Sequence, residues 1–230
     1  MICEPIQAVS MTATPKPMKI DIVSDVVCPW CYVGKKKLEI ALKQLENEIT
    51  PDIQWRPYQL SPEVPEEGRN YKEHLIEKFG SAKGLDGAWQ RLTQIGSEIG
   101  IHFKFDKIEK SVNTLRLHSL IGAMTDKTKQ GHLTEIFFQA HFEDGIDLTV
   151  KDSVFALVKD YFVSKEEFDS IWDDSENKEE IRKEISYYHQ NGISGVPYFI
   201  FQNKYAVSGA QNPEVFREVM ETILKEESKS

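Results

Sequence analysis

The sequence predicts an α/β protein with a β-α-β start, an α-β-β-α end and a large all-helical insertion between them. Three observations carry this. A short β-rich run, KIDIVS, is followed at once by a helical period and a second strand. A long middle stretch shows apolar stripes at helical spacing and no convincing strand. The last fifty residues return to alternating β pattern and close on one amphipathic helix.

The elements follow in order. Residues 1–17, with Pro5, Pro15 and Pro17 and no hydrophobic period, read as a flexible extension carrying Cys3. Residues 18–60 form the first part of the α/β unit. Its strand is 19–24, and its helix runs from Pro29 to about Glu48 with Leu38, Ala41, Leu42, Leu45 and Ile49 in phase and Gly34 on the same face. Pro29 suits the first helical position, where its missing N–H has no partner to lose. DIQWRPYQL supplies the next strand, interrupted at Pro57.

Residues 61–175 form the helical insertion. Its stripes are Leu85/Trp89/Leu92/Ile95/Ile99, then Leu117/Leu120/Ile121/Met124. Leu133/Ile136/Phe137/Ala140/His141 and Val154/Leu157/Val158/Tyr161/Phe162 follow. Residues 176–226 complete the α/β unit: a helix near SENKEEIRKEISYYHQ, a hairpin of 196–201 and 205–209 around QNK, and a helix begun by Asn212-Pro213. Residues 227–230 are read as a flexible tail.

Composition narrows the function. A net charge of −9 over 230 residues argues against a nucleic-acid surface, which needs a basic stripe. No apolar run reaches the roughly 18 residues of a membrane span. Three cysteines are far too few for a disulfide-stapled secreted domain, and the N-terminus has no apolar signal core, so a cytoplasmic protein is expected.

The chemistry centres on Cys28-Pro29-Trp30-Cys31. As a structural staple the pair closes a loop worth only about 2 kcal/mol before strain. As a metal site it lacks ligands, since zinc takes about four and no histidine stands at ligand spacing nearby. As a redox dithiol it has what it needs. Cys28 stands just before a helix, where unpaired N–H groups and the helix dipole favour thiolate over thiol. Cys31, one turn on, is placed to resolve a mixed disulfide. Lys35, Lys36 and Lys37 are read as a solvated helix face. His118 and His141 are read as satisfied core histidines, whereas His189 precedes the GVP loop and stays open.

With Gly195-Val196-Pro197 entering the hairpin, the chain resembles the thioredoxin superfamily, whose cis-proline loop packs against the CxxC. The helical insertion resembles the DsbA plan. VSDVVCPWCYVGKKKLE, WRPYQLSPEVP, GVPYFIF and YAVSGAQNPEVF resemble the FrnE-like subfamily, from Met18 to about Leu224. The fold this implies is a thioredoxin fold with a large all-helical insertion. The resemblance implies Cys28 as nucleophile, Cys31 as resolving cysteine and Pro197 as cis-proline, with Val196 before it. It also places Asn113, of the pair Asn113-Thr114, near the substrate groove.

Trp30, Tyr32 and Tyr198 are candidate apolar contacts for a substrate, and packing between the two parts of the chain is the competing reading for Trp30 and Tyr32. The activity implied is thiol-disulfide exchange on a protein or small-molecule disulfide. No cofactor or metal is bound, glutathione is a candidate co-substrate, and glutathione or a thioredoxin-type reductant resets the pair. No nucleic acid or membrane is involved, and the protein is a monomer or homodimer. The alternative is a glutathione-dependent isomerase or transferase of the 2-hydroxychromene-2-carboxylate isomerase or kappa-class type. Those families share the plan but usually carry serine at the first CxxC position.

Overall fold

The computed structural model describes residues 14–228. The predicted extension therefore lies mostly outside the described residues, Cys3 included, but its last part does not. Lys16 and Pro17 already belong to strand β1 (Lys16–Ser24). Helix α1 (Pro29–Gln44) and strand β2 (Ile49–Pro57) follow, α1 ending four residues earlier than its apolar period suggests. At the other end are α8 (Ser175–Gln190), β5 (Tyr198–Phe201), β6 (Tyr205–Ser208) and α9 (Pro213–Glu227).

One four-stranded sheet, ordered β2-β1-β5-β6, joins the two ends of the chain. β1 runs parallel to β2, with Ile22 opposite Trp55, and antiparallel to β5, with Ile22 opposite Phe199. β1 is an inner strand packed on both faces, Ile20 and Ile22 in the main core and Val23 with Tyr188 of α8, and all of residues 20–24 are buried, Asp21 and Ser24 among them. Gln202 and Asn203 turn the β5–β6 hairpin with positive φ of 50° and 53°, the left-handed conformation that tight hairpins require. Pro213 opens α9 as expected. Asn212 occupies the cap position without a capping hydrogen bond, because its Oδ1 accepts from Lys37 Nζ instead.

The insertion holds α2 (Tyr71–Phe79), α3 (Ala82–Glu98), α4 (Leu115–Ala123), α5 (Lys127–Gln139), α6 (Lys151–Val158) and α7 (Lys165–Asp173). It is not purely helical. β3 (Arg69–Asn70) and β4 (Lys110–Ser111) form a two-residue antiparallel ladder, too short to show any period. A π-turn over Ala140–Asp144 ends α5. The helices owe their starts to short polar side chains: Asn70, Ser81, Asp126 and Ser164 each accept a hydrogen bond from the first turn of α2, α3, α5 and α7.

A run of rings ties the insertion to α1. Tyr71 stacks on Trp89, Trp89 on Phe105 and Phe105 on Phe103, while Tyr32 of α1 meets Phe103 edge-on and stacks on Phe138 at 5.0 Å. Such pairs contribute about 0.5–1.5 kcal/mol each beyond burial. One apolar core therefore runs without a break from the sheet into the insertion.

Candidate active site

The site lies where α1 begins. Cys28 has extended φ/ψ, as a cap residue does, and its carbonyl accepts the first-turn amides of Cys31 and Tyr32. Its own amide donates to the Asp25 carbonyl at 3.0 Å. Both thiols are free and buried, with Cys28 only 3% exposed. The two sulfurs interact, and the Cys28 sulfur lies 3.9 Å from the Val196 carbonyl oxygen. Val196-Pro197 is a cis peptide, with Pro197 buried and Val196 half-buried. Residues far apart in sequence thus meet because β1 and β5 are neighbours.

Burial pushes the Cys31 thiol well above its usual range, and the neighbouring Cys28 pushes it the same way. Ser24 and the Asp25 backbone pull against this. Cys31 therefore holds its proton firmly until something removes it.

Asp25 is buried beneath the pair. Its Oδ2 accepts from the Leu60 amide at 2.7 Å, and its Oδ1 lies 3.6 Å from His118 Nε2. His118 Nε2 also sits 2.9 Å from the Tyr58 carbonyl oxygen, so His118 is a satisfied buried histidine. His141 departs from expectation: it is buried, but its Nε2 has no hydrogen-bond partner among the described residues. Burial pushes its imidazole down to about 4. His189 lies over the Tyr58 ring at 4.6 Å. Tyr71 of the insertion faces the site; burial raises its phenol, and charge on Cys28 raises it further.

The candidate substrate contacts divide. Trp30 projects from the first turn of α1 at 36% exposure. Tyr32 is wholly buried, its hydroxyl donating to Glu143 at 2.7 Å, so it packs the two parts of the chain together and offers no surface to a substrate. Tyr198 is half-buried on the α8 face of the sheet, against Val23, Tyr58 and Tyr188. Asn113 bridges the loop after β2, accepting from Gln59 Nε2 and donating to the Val64 carbonyl.

The three lysines are not a solvated face. Lys35 is buried and pairs with Glu39 and Glu135, Lys36 reaches the same Glu135 at 2.6 Å, and Lys37 bonds Asn212. Against the upward push of burial, Lys35 and Lys36 hold the Glu135 carboxyl below its usual range. Their charge is thus matched locally, which weakens any field they lend to Cys28. No cluster of His, Cys, Asp or Glu among the described residues has the makings of a metal site, and no described helix is long and apolar enough to cross a membrane.

Sequence reasoning missed Ser24, Asp25 and Tyr71. The one available signal was a lone carboxylate inside the apolar run IVSDVVC, since a charge there is either paired or functional.

Comparison with known proteins agrees with this layout. A probable DsbA oxidoreductase of Streptomyces coelicolor superposes with a TM-score of 0.80 at 25% identity, covering 88% of each chain. A 2-hydroxychromene-2-carboxylate isomerase shares the fold at 0.71 and 13% identity, over 92% of this chain and 98% of its own. The cytosolic disulfide reductase DsbM of Pseudomonas aeruginosa, solved with glutathione, shares it at 0.61 and 16% identity, over 90% and 99%. The family model described as DSBA-like thioredoxin domain matches residues 19–221. With its split sheet, helical insertion and buried cysteine pair, the chain belongs to the DSBA-like thioredoxin domain family.

Proposed function

We propose that this protein is a cytoplasmic dithiol-disulfide oxidoreductase, FrnE-like within its family, that works through Cys28 and Cys31. The observation that carries the reading is the Cys28 sulfur at the start of α1, in contact with Cys31 and 3.9 Å from the Val196 carbonyl. In the first step the Cys28 thiolate attacks one sulfur of a disulfide. A Cys28–substrate bond forms, and the other sulfur leaves with the electron pair. The Cys31 thiolate then attacks the Cys28 sulfur, the Cys28–Cys31 disulfide forms, and the second substrate sulfur leaves as a thiolate. The substrate gains two electrons, and glutathione or a thioredoxin-type dithiol restores the pair.

The near-complete burial of Cys28 favours a disulfide presented on an extended segment or a small thiol. Val196 and Pro197 form one wall of the approach and Trp30 the other. Tyr198 acts on the far side of the same strand, and Asn113 acts by holding the 59–64 loop. The small number of cysteines supports a reducing compartment.

A second reading, glutathione-dependent isomerisation, is favoured by the fold shared with the 2-hydroxychromene-2-carboxylate isomerase. The retained pair favours redox turnover, because activating bound glutathione has no use for a resolving thiol.

The test replaces Cys31 with serine in a Cys3→Ser background. Exchange is expected to stop at a covalent Cys28–substrate disulfide, seen as a mass increase that reductant removes. Full turnover by the Cys31→Ser protein on a substrate without a disulfide would establish the isomerase reading instead.

A further inference from the structure

The seam between the sheet and the insertion is not filled. A partly enclosed cavity of about 130 Å³ lies where β1, β2, α4, α5 and α8 meet, with Ser24, Arg56, His118, Gln130 and Glu184 among its walls. It is well below the roughly 300 Å³ at which ligand pockets begin. Its walls are mixed, with Val26, Trp55, Ile121 and Ile181 beside the polar groups, and the polar side suits a few water molecules, each occupying about 30 Å³ in the liquid.

Two groups give this space a direction. The Ser24 hydroxyl is buried and has no nitrogen or oxygen partner among the described residues. The same hydroxyl lies beside the Cys31 sulfur. His118 stands on the wall of the cavity. Its Nε2 faces the Tyr58 carbonyl, which can only accept, so Nε2 carries the hydrogen and Nδ1 is the acceptor nitrogen.

We propose that this cavity is the proton exit for Cys31, with Ser24 as the first relay and His118 as the base. The inference rests on the exchange reading, and it supplies the step that reading leaves open. The Cys31 S–H bond breaks, and its proton passes to the Ser24 oxygen as the hydroxyl gives its own to cavity water and on to His118 Nδ1. The Cys31 thiolate bonds to the Cys28 sulfur, and the bond from Cys28 to the substrate sulfur breaks with its electron pair on the leaving group.

The surroundings suit a transient imidazolium. Asp25 Oδ1 lies 3.6 Å from Nε2. α8 contributes Glu184 and β2 contributes Arg56, which are paired with each other at 3.1 Å. α5 contributes the uncharged Gln130 and Thr134.

The full chain with Cys3→Ser, reduced and mixed with excess Ellman's reagent, separates the two steps. Attack by Cys28 releases the first coloured thiolate at a rate that rises with reagent concentration. Resolution by Cys31 releases the second at a rate that does not. In Ser24→Ala the second phase is expected to slow about tenfold or more near neutral pH, with the deficit closing in alkali where hydroxide takes the proton directly. The first phase serves as internal control. Ser24→Thr, which keeps a hydroxyl, restores the second phase, and His118→Gln, which keeps a donor for the Tyr58 carbonyl, slows it as Ser24→Ala does. A Ser24→Ala protein with the parent's second phase, or one slowed equally at every pH, overturns the proposal. Absence of any second phase in the Cys3→Ser parent overturns the exchange reading instead.

Discussion

Gly34 and Pro197 are in direct contact: a Cβ on Gly34 would stand 2.9 Å from the Pro197 Cγ and 3.1 Å from the Phe199 ring. Gly34 has no positive φ, so its value is space. A glycine inside a helix costs about 1 kcal/mol relative to alanine, and here that loss lets α1 lie against the loop that faces Cys28. Gly34→Ala is therefore expected to destabilise by about 1–3 kcal/mol through overpacking, despite better helix propensity. It should also slow exchange by moving Val196 from the Cys28 sulfur. Urea unfolding and a disulfide reduction assay check both, and a stabilised, fully active Gly34→Ala would show that the contact is slack.

Trp30 is the exposed aromatic beside the thiols. Trp30→Ala is expected to slow exchange with a protein disulfide more than with oxidised glutathione, because only the longer substrate reaches across the indole. Equal slowing on both would assign Trp30 to the sulfur chemistry itself.

His141 gives a pH dependence of stability. Burial holds its imidazole down to about 4 in the folded chain, against 6.5 as the ordinary value. Between these values the unfolded chain binds a proton that the folded chain refuses, so stability falls as pH drops from 6.5 towards 4. At about 1.4 kcal/mol per unit the loss approaches about 3 kcal/mol. His141→Leu keeps the volume and removes the titration, so its stability curve should be flatter over this window. Parallel curves for the two proteins in chemical denaturation would show that other groups set the acid limb.

Tyr32 is the polar anchor of the ring cluster. Tyr32→Phe keeps the stack on Phe138 and removes the hydroxyl that donates to Glu143. A loss of about 1–3 kcal/mol is expected, as for a hydrogen bond to a charged group, with little change in exchange rate. A large fall in rate at unchanged stability would move Tyr32 from packing to catalysis.

Much of this arrangement is legible in the sequence wherever the signal is local. The α1 period, the Pro29 and Pro213 starts and the helix 175–190 follow from spacing and side-chain chemistry. α7 shows Phe168, Ile171 and Trp172 at helical spacing but is too short for a sustained stripe, and α2 buries only Tyr71 and His74. What escapes is whatever depends on a distant partner. Lys36 reads as solvated until Glu135, 99 positions away, is seen to meet it. The burial of Ser24 and Asp25 shows only once the distant insertion closes over them. Cys28, Cys31, Val196 and Pro197 are recognisable as motifs, but only the pairing of β1 with β5 brings them together.

That pairing also fixes an order of events during synthesis. Cys28 and Val196 are 168 positions apart. At roughly 5–20 residues per second, about 8 to 34 seconds separate their emergence from the ribosome. For most of that interval the nascent chain has β1, α1 and β2 but no β5, so its two thiols lack the wall that later faces them. A stalled or cleaved chain ending anywhere in the insertion would present an open dithiol to every disulfide and oxidant around it. Completion of translation is thus what turns a generally reactive pair of cysteines into a selective one.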